Sequence, residues 1–340
     1  MALAIPLVFL TILSLVTLKS IAASLFPTYF IYTALGLIAF FVFSKVDFEI
    51  TATFSRFYYL GSIFLLIVTL LIGSVTRGAI RWIPLGSITI QPAEIIRPFL
   101  IVFFAVYFSK NILSYKTLLR AFILLFIPLV LILIQPSLAV SLITILGFIG
   151  VVMAVGFNKK ILLLTLLLIL LLAPFIFLLL APYQKDRVQA FLNPEKDPLG
   201  TGYNSIQSMI AVGSGKIFGR GLGQGAQTQL AFLPERQTDF IFASVAEEMG
   251  FVGTILVSLS LVAILWRLTY YIANPASASA RAYLTGIFLT LTAQSFVNIA
   301  MNIGLMPVAG LPLPVISAGG SSYLATLISL GIASSARKKI

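Results

Sequence analysis

The feature that most constrains this chain is a series of apolar runs, most of them near the roughly 20 residues a helix needs to cross a bilayer. They occupy residues 2–18, 25–44, 57–73, 94–108 (with Pro92 as an alternative start), 118–134, 138–156, 161–181, 240–271, 282–306 and 315–336. In hydrocarbon every backbone polar group must be satisfied within the protein, so runs of this kind become helices. The 340 residues are 60% hydrophobic and only 9% charged, against about 25% charged in a soluble domain. The expected fold is an all-α polytopic membrane protein with about ten transmembrane helices in one domain, 1–340. A long structured extracellular loop, 183–239, joins helices 7 and 8. The first run has no positive region before it and no clear small-residue cleavage site after it, so it is read as a helix and not as a signal peptide. Pro174 predicts a kink in the seventh span.

Charge gives the orientation. With the N-terminus in the cytoplasm, the inner loops and tail carry Lys45, Arg56, Lys110, Lys116, Arg120, Lys159, Lys160, Arg267, Arg281, Arg337, Lys338 and Lys339. The short outer loops carry only Lys19, Arg77 and Arg81. Basic residues concentrate on the cytoplasmic side of membrane proteins, which places both termini there. The net charge of +12 is spread over these loops and forms no patch, so no nucleic-acid partner is expected.

The chain has no Cys and no His, which removes thiol and imidazole chemistry. Acid–base work falls to Asp, Glu, Lys, Tyr or water. Three outer segments face one compartment: 73–97, the long loop, and the Pro- and Gly-rich 307–322. Irregular backbone near a membrane is tolerated where it lines a cavity or is buried in protein, so these segments suggest an outward-facing polar cavity. Glu94 and Arg97 share a helix face at i,i+3 spacing, either as a pair that starts a helix or as a wall of that cavity. Arg77 and Arg81 flank Trp82 either as an interfacial anchor or as a clamp for phosphate. The alternating Gly219, Gly221, Gly223 and Gly225 match neither GxGxxG nor a Walker loop and predict tight turns between short helices. Asp239 begins the eighth span. Thr238 and Asp239 either cap that helix, or Asp239 is a general base at the cavity mouth. Glu247 and Glu248, two turns deeper, either tune Asp239 or sit in a polar bundle interior.

Five motifs then carry a resemblance. They are Gly78–Ile83 (GAIRWI) with Gln91-Pro92-Ala93-Glu94; Gln135-Pro136-Ser137-Leu138; Tyr203 through Gln207-Ser208 with Gly213-Ser214-Gly215; Phe232-Leu233-Pro234-Glu235-Arg236-Gln237-Thr238-Asp239-Phe240-Ile241-Phe242 with Glu247-Glu248-Met249-Gly250; and Pro314 through Ser322. Over nearly its whole length the chain resembles the SEDS family of peptidoglycan glycosyltransferases, RodA-like more than FtsW-like because an N-terminal extension is absent. The resemblance implies polymerisation of lipid II at the outer face of the bacterial cytoplasmic membrane. It implies Asp239 as the catalytic residue, a class B penicillin-binding protein as partner, and a divalent cation, Mg or Mn, whose ligands are unknown. Substrate-binding candidates are Arg77, Arg81, Trp82, Gln91, Glu94, Arg97, Gln207, Glu235, Ser317 and Ser321. Three positions depart from the family pattern: Ser137 stands for Asp, Ala318 for Tyr, and Arg97 for Lys. The alternatives are a flippase for lipid-linked precursors, which needs polar groups reaching the cytoplasmic half, and a non-catalytic membrane scaffold, which has no need of Asp239.

Overall fold

The computed structural model describes residues 3–76, 79–86, 88–156 and 182–338. The expected seventh span with Pro174, and the candidate Arg77, lie outside the described residues. In chain order the described elements begin with α1 (Ala4–Ile21), a 3-10 turn (Ala23–Leu25), α2 (Phe26–Lys45), α3 (Phe48–Thr53) and α4 (Ser55–Ile72). Three strands follow: β1 (Ser74–Thr76), β2 (Ala79–Leu85) and β3 (Ile88–Ile90). After them come α5 (Pro92–Ile95), α6 (Arg97–Lys110), α7 (Tyr115–Ile134) and α8 (Leu138–Ala154). The remainder is α9 (Pro182–Leu192), α10 (Tyr203–Ser214), α11 (Ala226–Gln229), α12 (Ile241–Ala273), α13 (Ala278–Asn302) and α14 (Gly320–Ser335).

Among the described residues, seven helical segments are long and apolar enough to cross a membrane. The helices α8 and α14 are shorter, at 17 and 16 residues. The chain is thus a multi-pass α-helical membrane protein. Large apolar side chains such as Phe57, Phe64, Phe126 and Trp266 are exposed on the outer surface of the bundle, where they meet lipid rather than water. The interior helix is α14, buried along almost its whole length. It runs beside α2 through close contacts at glycines: a methyl on Gly36 would strike the Tyr323 ring, and one on Gly331 would meet the Phe40 carbonyl. Small residues at such seams let helix backbones approach, which is the main source of packing energy between helices in lipid.

Two details differ from the expectation: strands form where irregular chain was expected, and the last span is shorter. Residues 74–90 form a three-stranded antiparallel sheet in the order β1-β2-β3, with Val75 opposite Ile80 and Ile83 opposite Ile90. β-Branched and aromatic residues with a turn glycine at Gly86, φ +65°, favour paired strands. The expected tenth span starts only at Gly320, because 307–319 is a non-helical, inward-running segment. Side chains from the surrounding helices satisfy its carbonyls. Asn298 Nδ2 donates to Leu311 O (2.6 Å), Gln294 Nε2 to Pro312 O (2.8 Å) and Ser14 Oγ to Ile316 O (2.6 Å). Irregular backbone at membrane depth persists only with such partners. Val315 is buried at φ +69°, a costly conformation for a β-branched residue.

The most consequential irregularity lies inside α12. Gly250 leaves the helical region at φ 67°, ψ −162°, and two helix bonds are lost there. The amides of Phe251 and Val252 would ordinarily donate to Glu247 and Glu248. Instead they donate to Lys216 O (2.9 Å) and Ile217 O (3.1 Å) of the long loop. The stranded carbonyls of Glu247 and Glu248 accept from Arg220 N (2.9 Å) and Gly221 N (3.0 Å). The loop therefore enters the gap and completes the ladder. Gly219 sits at the crossing, where a side chain would collide with the Glu248 carbonyl. The glycine run is thus more than a set of turns.

The gap makes a prediction. Gly250→Ala forces a non-glycine residue into a backbone region that is essentially glycine-only and should lower stability by roughly 1–3 kcal/mol. Gly61→Ala, in α4 with nothing near its would-be Cβ, should be neutral or slightly stabilising. Thermal unfolding of the two variants in detergent checks both.

Candidate active site

The same two glutamates that lose their helix bonds also fasten the loop with their side chains. Glu247 Oε1 accepts from Gln227 N (2.8 Å) and Oε2 from Thr228 N (2.9 Å), so it caps α11 from a distance. Glu248 Oε1 accepts from Ser20 Oγ (2.7 Å), Gly223 N (3.0 Å) and Gln229 Nε2 (3.1 Å). Both residues are buried. Both glutamates are buried anchors for the loop, a role beyond the two the sequence offered.

The anchored loop leads into the turn that carries Asp239. Five consecutive carbonyls in that turn are held. Glu235 O accepts from Thr238 N (3.0 Å) and Phe240 N (3.2 Å). Arg236 O accepts from Ser244 Oγ (2.9 Å), Gln237 O from Ala318 N (2.8 Å) and Thr238 O from Ser317 Oγ (2.7 Å). Asp239 O accepts from both Asn298 Nδ2 and Asn302 Nδ2, each at 3.0 Å. Glu235 itself is left-handed at φ +52°, and Thr238 Oγ1 donates to Glu235 Oε2 at 3.0 Å. The turn is fixed from the loop, from α13 and from the 307–319 segment together.

The reading of Thr238 as N-cap is corrected here. α12 begins at Ile241 with Phe240 as its N-cap, and no N-cap side chain bonds into it. Asn302 takes that part from the neighbouring helix: its Oδ1 accepts from Ala243 N at 3.0 Å. Asp239 is half-buried, and its carbonyl is held by the last turns of α13. A Cβ placed on Gly310 would lie 3.6 Å from Asp239 Oδ2 and 3.5 Å from Arg187 Nη1. An exposed guanidinium and a carboxylate thus converge on one glycine. Arg187 is oriented by donating to Val308 O at 3.1 Å. Sequence reasoning missed Arg187, Asn298 and Asn302. The asparagines had a signal: with Gln294 they repeat at i,i+4 on one face of an apolar helix, and all three are fully buried.

The other candidates form a second group. Glu94 and Arg97 pair at 3.0 Å and are both buried, Arg97 to 1% exposure. Gln91 is buried, with its amide nitrogen donating to Ser321 Oγ (2.8 Å) and its Nε2 to Ser137 Oγ (3.4 Å). Ser317 and Ser321 are buried and bonded to backbone. Ser317 binds Thr238 and accepts from Leu313 N (2.7 Å), and Ser321 binds Gln91. Through these two serines the 307–322 region ties the Gln91 group to the Asp239 turn. Arg81 and Trp82 lie half-buried in β2, where Ser74 Oγ donates to Trp82 O at 3.2 Å. Gln207 is half-buried on α10. Among the described residues no three Asp or Glu side chains converge to hold a metal ion. The expected divalent cation has no three-residue cradle among them.

Comparison with known proteins decides the family. Residues 1–339 match the family described as cell cycle protein, FtsW/RodA/SpoVE. The chain belongs to this family. A relative in Escherichia coli K12, peptidoglycan glycosyltransferase MrdB, is 35% identical over 302 residues, 88% of this chain and 82% of its own length. Stage V sporulation protein E of Bacillus subtilis is 35% identical over 312 residues, covering 89% and 84%. Solved structures agree. A chain from work on the structural coordination of polymerization and crosslinking by a peptidoglycan synthase complex superposes with a TM-score of 0.83 at 32% identity, covering 98% of this chain and 95% of that one. Thermus thermophilus rod shape determining protein RodA superposes with a TM-score of 0.72 at 26% identity, covering 97% and 94%. The helical bundle is thus a shared FtsW/RodA/SpoVE architecture.

The buried pair yields a prediction for this FtsW/RodA/SpoVE chain. Glu94→Leu leaves Arg97 charged and alone, which should cost roughly 3–5 kcal/mol, whereas Glu94→Leu with Arg97→Met should restore most of the stability. Melting temperatures of the single and double variants check this.

Proposed function

We propose that this chain is a peptidoglycan glycosyltransferase that polymerises lipid II at the outer face of the bacterial cytoplasmic membrane, with Asp239 as its general base. The observation that carries the reading is the turn pinned at five successive carbonyls, which holds a half-buried carboxylate beside the exposed Arg187. Fixed geometry of this kind is what positioning a proton acceptor requires. Asp239 removes the proton from the acceptor sugar hydroxyl. The freed oxygen attacks the anomeric carbon of the donor from the face opposite the leaving group. The carbon–oxygen bond to the lipid pyrophosphate breaks, and the pyrophosphate departs with the electron pair. Arg187, with Arg81 and Arg77 of the expected clamp, supplies positive charge for that leaving group. A divalent cation is proposed as an auxiliary for the same charge.

The relatives' names and the similarity to a chain of a peptidoglycan synthase complex support a class B penicillin-binding protein as partner. The distribution of basic residues supports cytoplasmic N- and C-termini. In that orientation the Asp239 turn and the long loop lie outside. Leu199, 88% exposed, is a labelling site in a chain with no cysteine of its own. Leu199→Cys should react with a membrane-impermeant maleimide on intact spheroplasts, and labelling only after lysis would reverse the topology.

Asp239→Asn keeps size and backbone bonds, since the turn is held through its carbonyl. Purified with its partner and given labelled lipid II, this variant should melt normally and lose about 10²- to 10⁴-fold in polymerisation. Near-normal glycan synthesis by a folded Asp239→Asn protein would rule out the base.

A further inference from the structure

The opposite end of α12 carries a second polar construction that the glycosyltransferase reading does not use. A cavity of about 130 Å³ is lined by Arg267, Tyr270, Asn274, Arg337 and Lys338. One water needs only about 10–15 Å³ of such space, so the cavity takes a group several times larger. Three of its five lining residues are cationic and none is acidic. None of the chain's ten acidic residues lines it, Asp47 and Glu49 at the start of α3 included.

The site is built rather than incidental. The C-terminal turn is stitched to the α12–α13 connection by Ala276 N to Ala336 O (2.9 Å), by Lys338 N to Asn274 O (3.0 Å) and by a bridge between Pro275 and Arg337. Those bonds fix the backbone positions from which Arg337 and Lys338 project. Arg267 lies over the Tyr270 ring at 4.6 Å and near Tyr271 at 5.3 Å, and Arg337 reaches the Tyr271 ring from 5.5 Å. The buried Tyr271 is thus shared by two guanidiniums. Arg267 Nε is buried and has no hydrogen-bond partner among the described residues, leaving a charged donor to be satisfied by something else. Holding three like charges around one cavity is unfavourable until an anion enters.

We propose that this cavity binds the phosphate group of an anionic phospholipid headgroup. The chemistry asked for is a phosphate ester: arginines suit its oxygens. The lipid source follows from position. Trp266 is 77% exposed and Tyr270 is also exposed on the same last turns of a membrane span, as aromatic residues are at headgroup level. Basic pockets at span ends on one side of a membrane are suited to anionic headgroups.

The test uses the full-length protein in zwitterionic detergent. Short-chain phosphatidylglycerol, short-chain phosphatidylcholine and inorganic phosphate are titrated separately, and binding is read from the shift in melting temperature and by native mass spectrometry. Phosphatidylglycerol should bind and stabilise, and phosphatidylcholine should not. Lys338→Gln, which keeps all three arginine–tyrosine contacts, should weaken phosphatidylglycerol about fivefold, and Arg337→Gln with Lys338→Gln about 25-fold, at roughly a fivefold loss per charge. Saturation by inorganic phosphate at the same concentration as phosphatidylglycerol would overturn the lipid source. Equal binding of both lipids, or equal phosphatidylglycerol binding by wild type and both variants, would overturn the site itself.

Discussion

The structure depends on an exchange of backbone hydrogen bonds between a loop and a helix. At Gly250 the longest of the described helices gives up two of its own bonds, and residues 216–221 of the long loop restore four polar groups at once. In a bilayer an unsatisfied amide or carbonyl costs several kcal/mol, so neither element is complete without the other. The side chains of Glu247 and Glu248 then hold the neighbouring stretch of loop at α11 and at Gly223. From that foundation the chain runs into the Asp239 turn, whose five carbonyls are met from three directions. The position of one carboxylate is thereby set by backbone chemistry more than by side-chain packing.

A division of labour among the polar residues follows. Buried serines and asparagines act on main-chain groups: Ser317, Asn298 and Asn302 hold the turn, and Ser321 holds the start of α5. Buried carboxylates either pair with a cation, as Glu94 does with Arg97, or hold amides, as Glu247 does. The half-buried Asp239 sits instead where an exposed Arg187 approaches. Buried polar groups that hold one another in this way favour a single arrangement of the bundle.

Hydropathy made most of the helices legible, because a run of about 20 apolar residues in lipid has few structural options. It did not show the short strands of 74–90, and it began the last span at Val315 rather than Gly320, where buried irregular chain carries apolar residues without helical periodicity. The Asp239 motif was legible through family resemblance, but the device that holds it was not. Asn302 caps a helix that starts 61 residues earlier in the chain, at Ile241, and no local pattern announces a cap supplied by another helix. The glycine run had the same difficulty. Gly219 could be seen as permissive, but that it marks a backbone crossing with Glu248 is a tertiary fact. Arg187 was one of several basic residues in a loop, singled out only by the fold that brings it to Gly310.

The gap at Gly250 bears on how the chain enters the membrane. Residues 216–221 precede α12 in the sequence, so during synthesis they emerge first. Until they lie on the Asp239 side of the bilayer, α12 cannot close its ladder, and two amides and two carbonyls remain without partners. An inverted helix, or a loop left behind on the wrong side, would leave those four groups unpaired with no other supply. The backbone itself therefore couples the two: the loop is the piece that lets the following helix become a stable transmembrane segment.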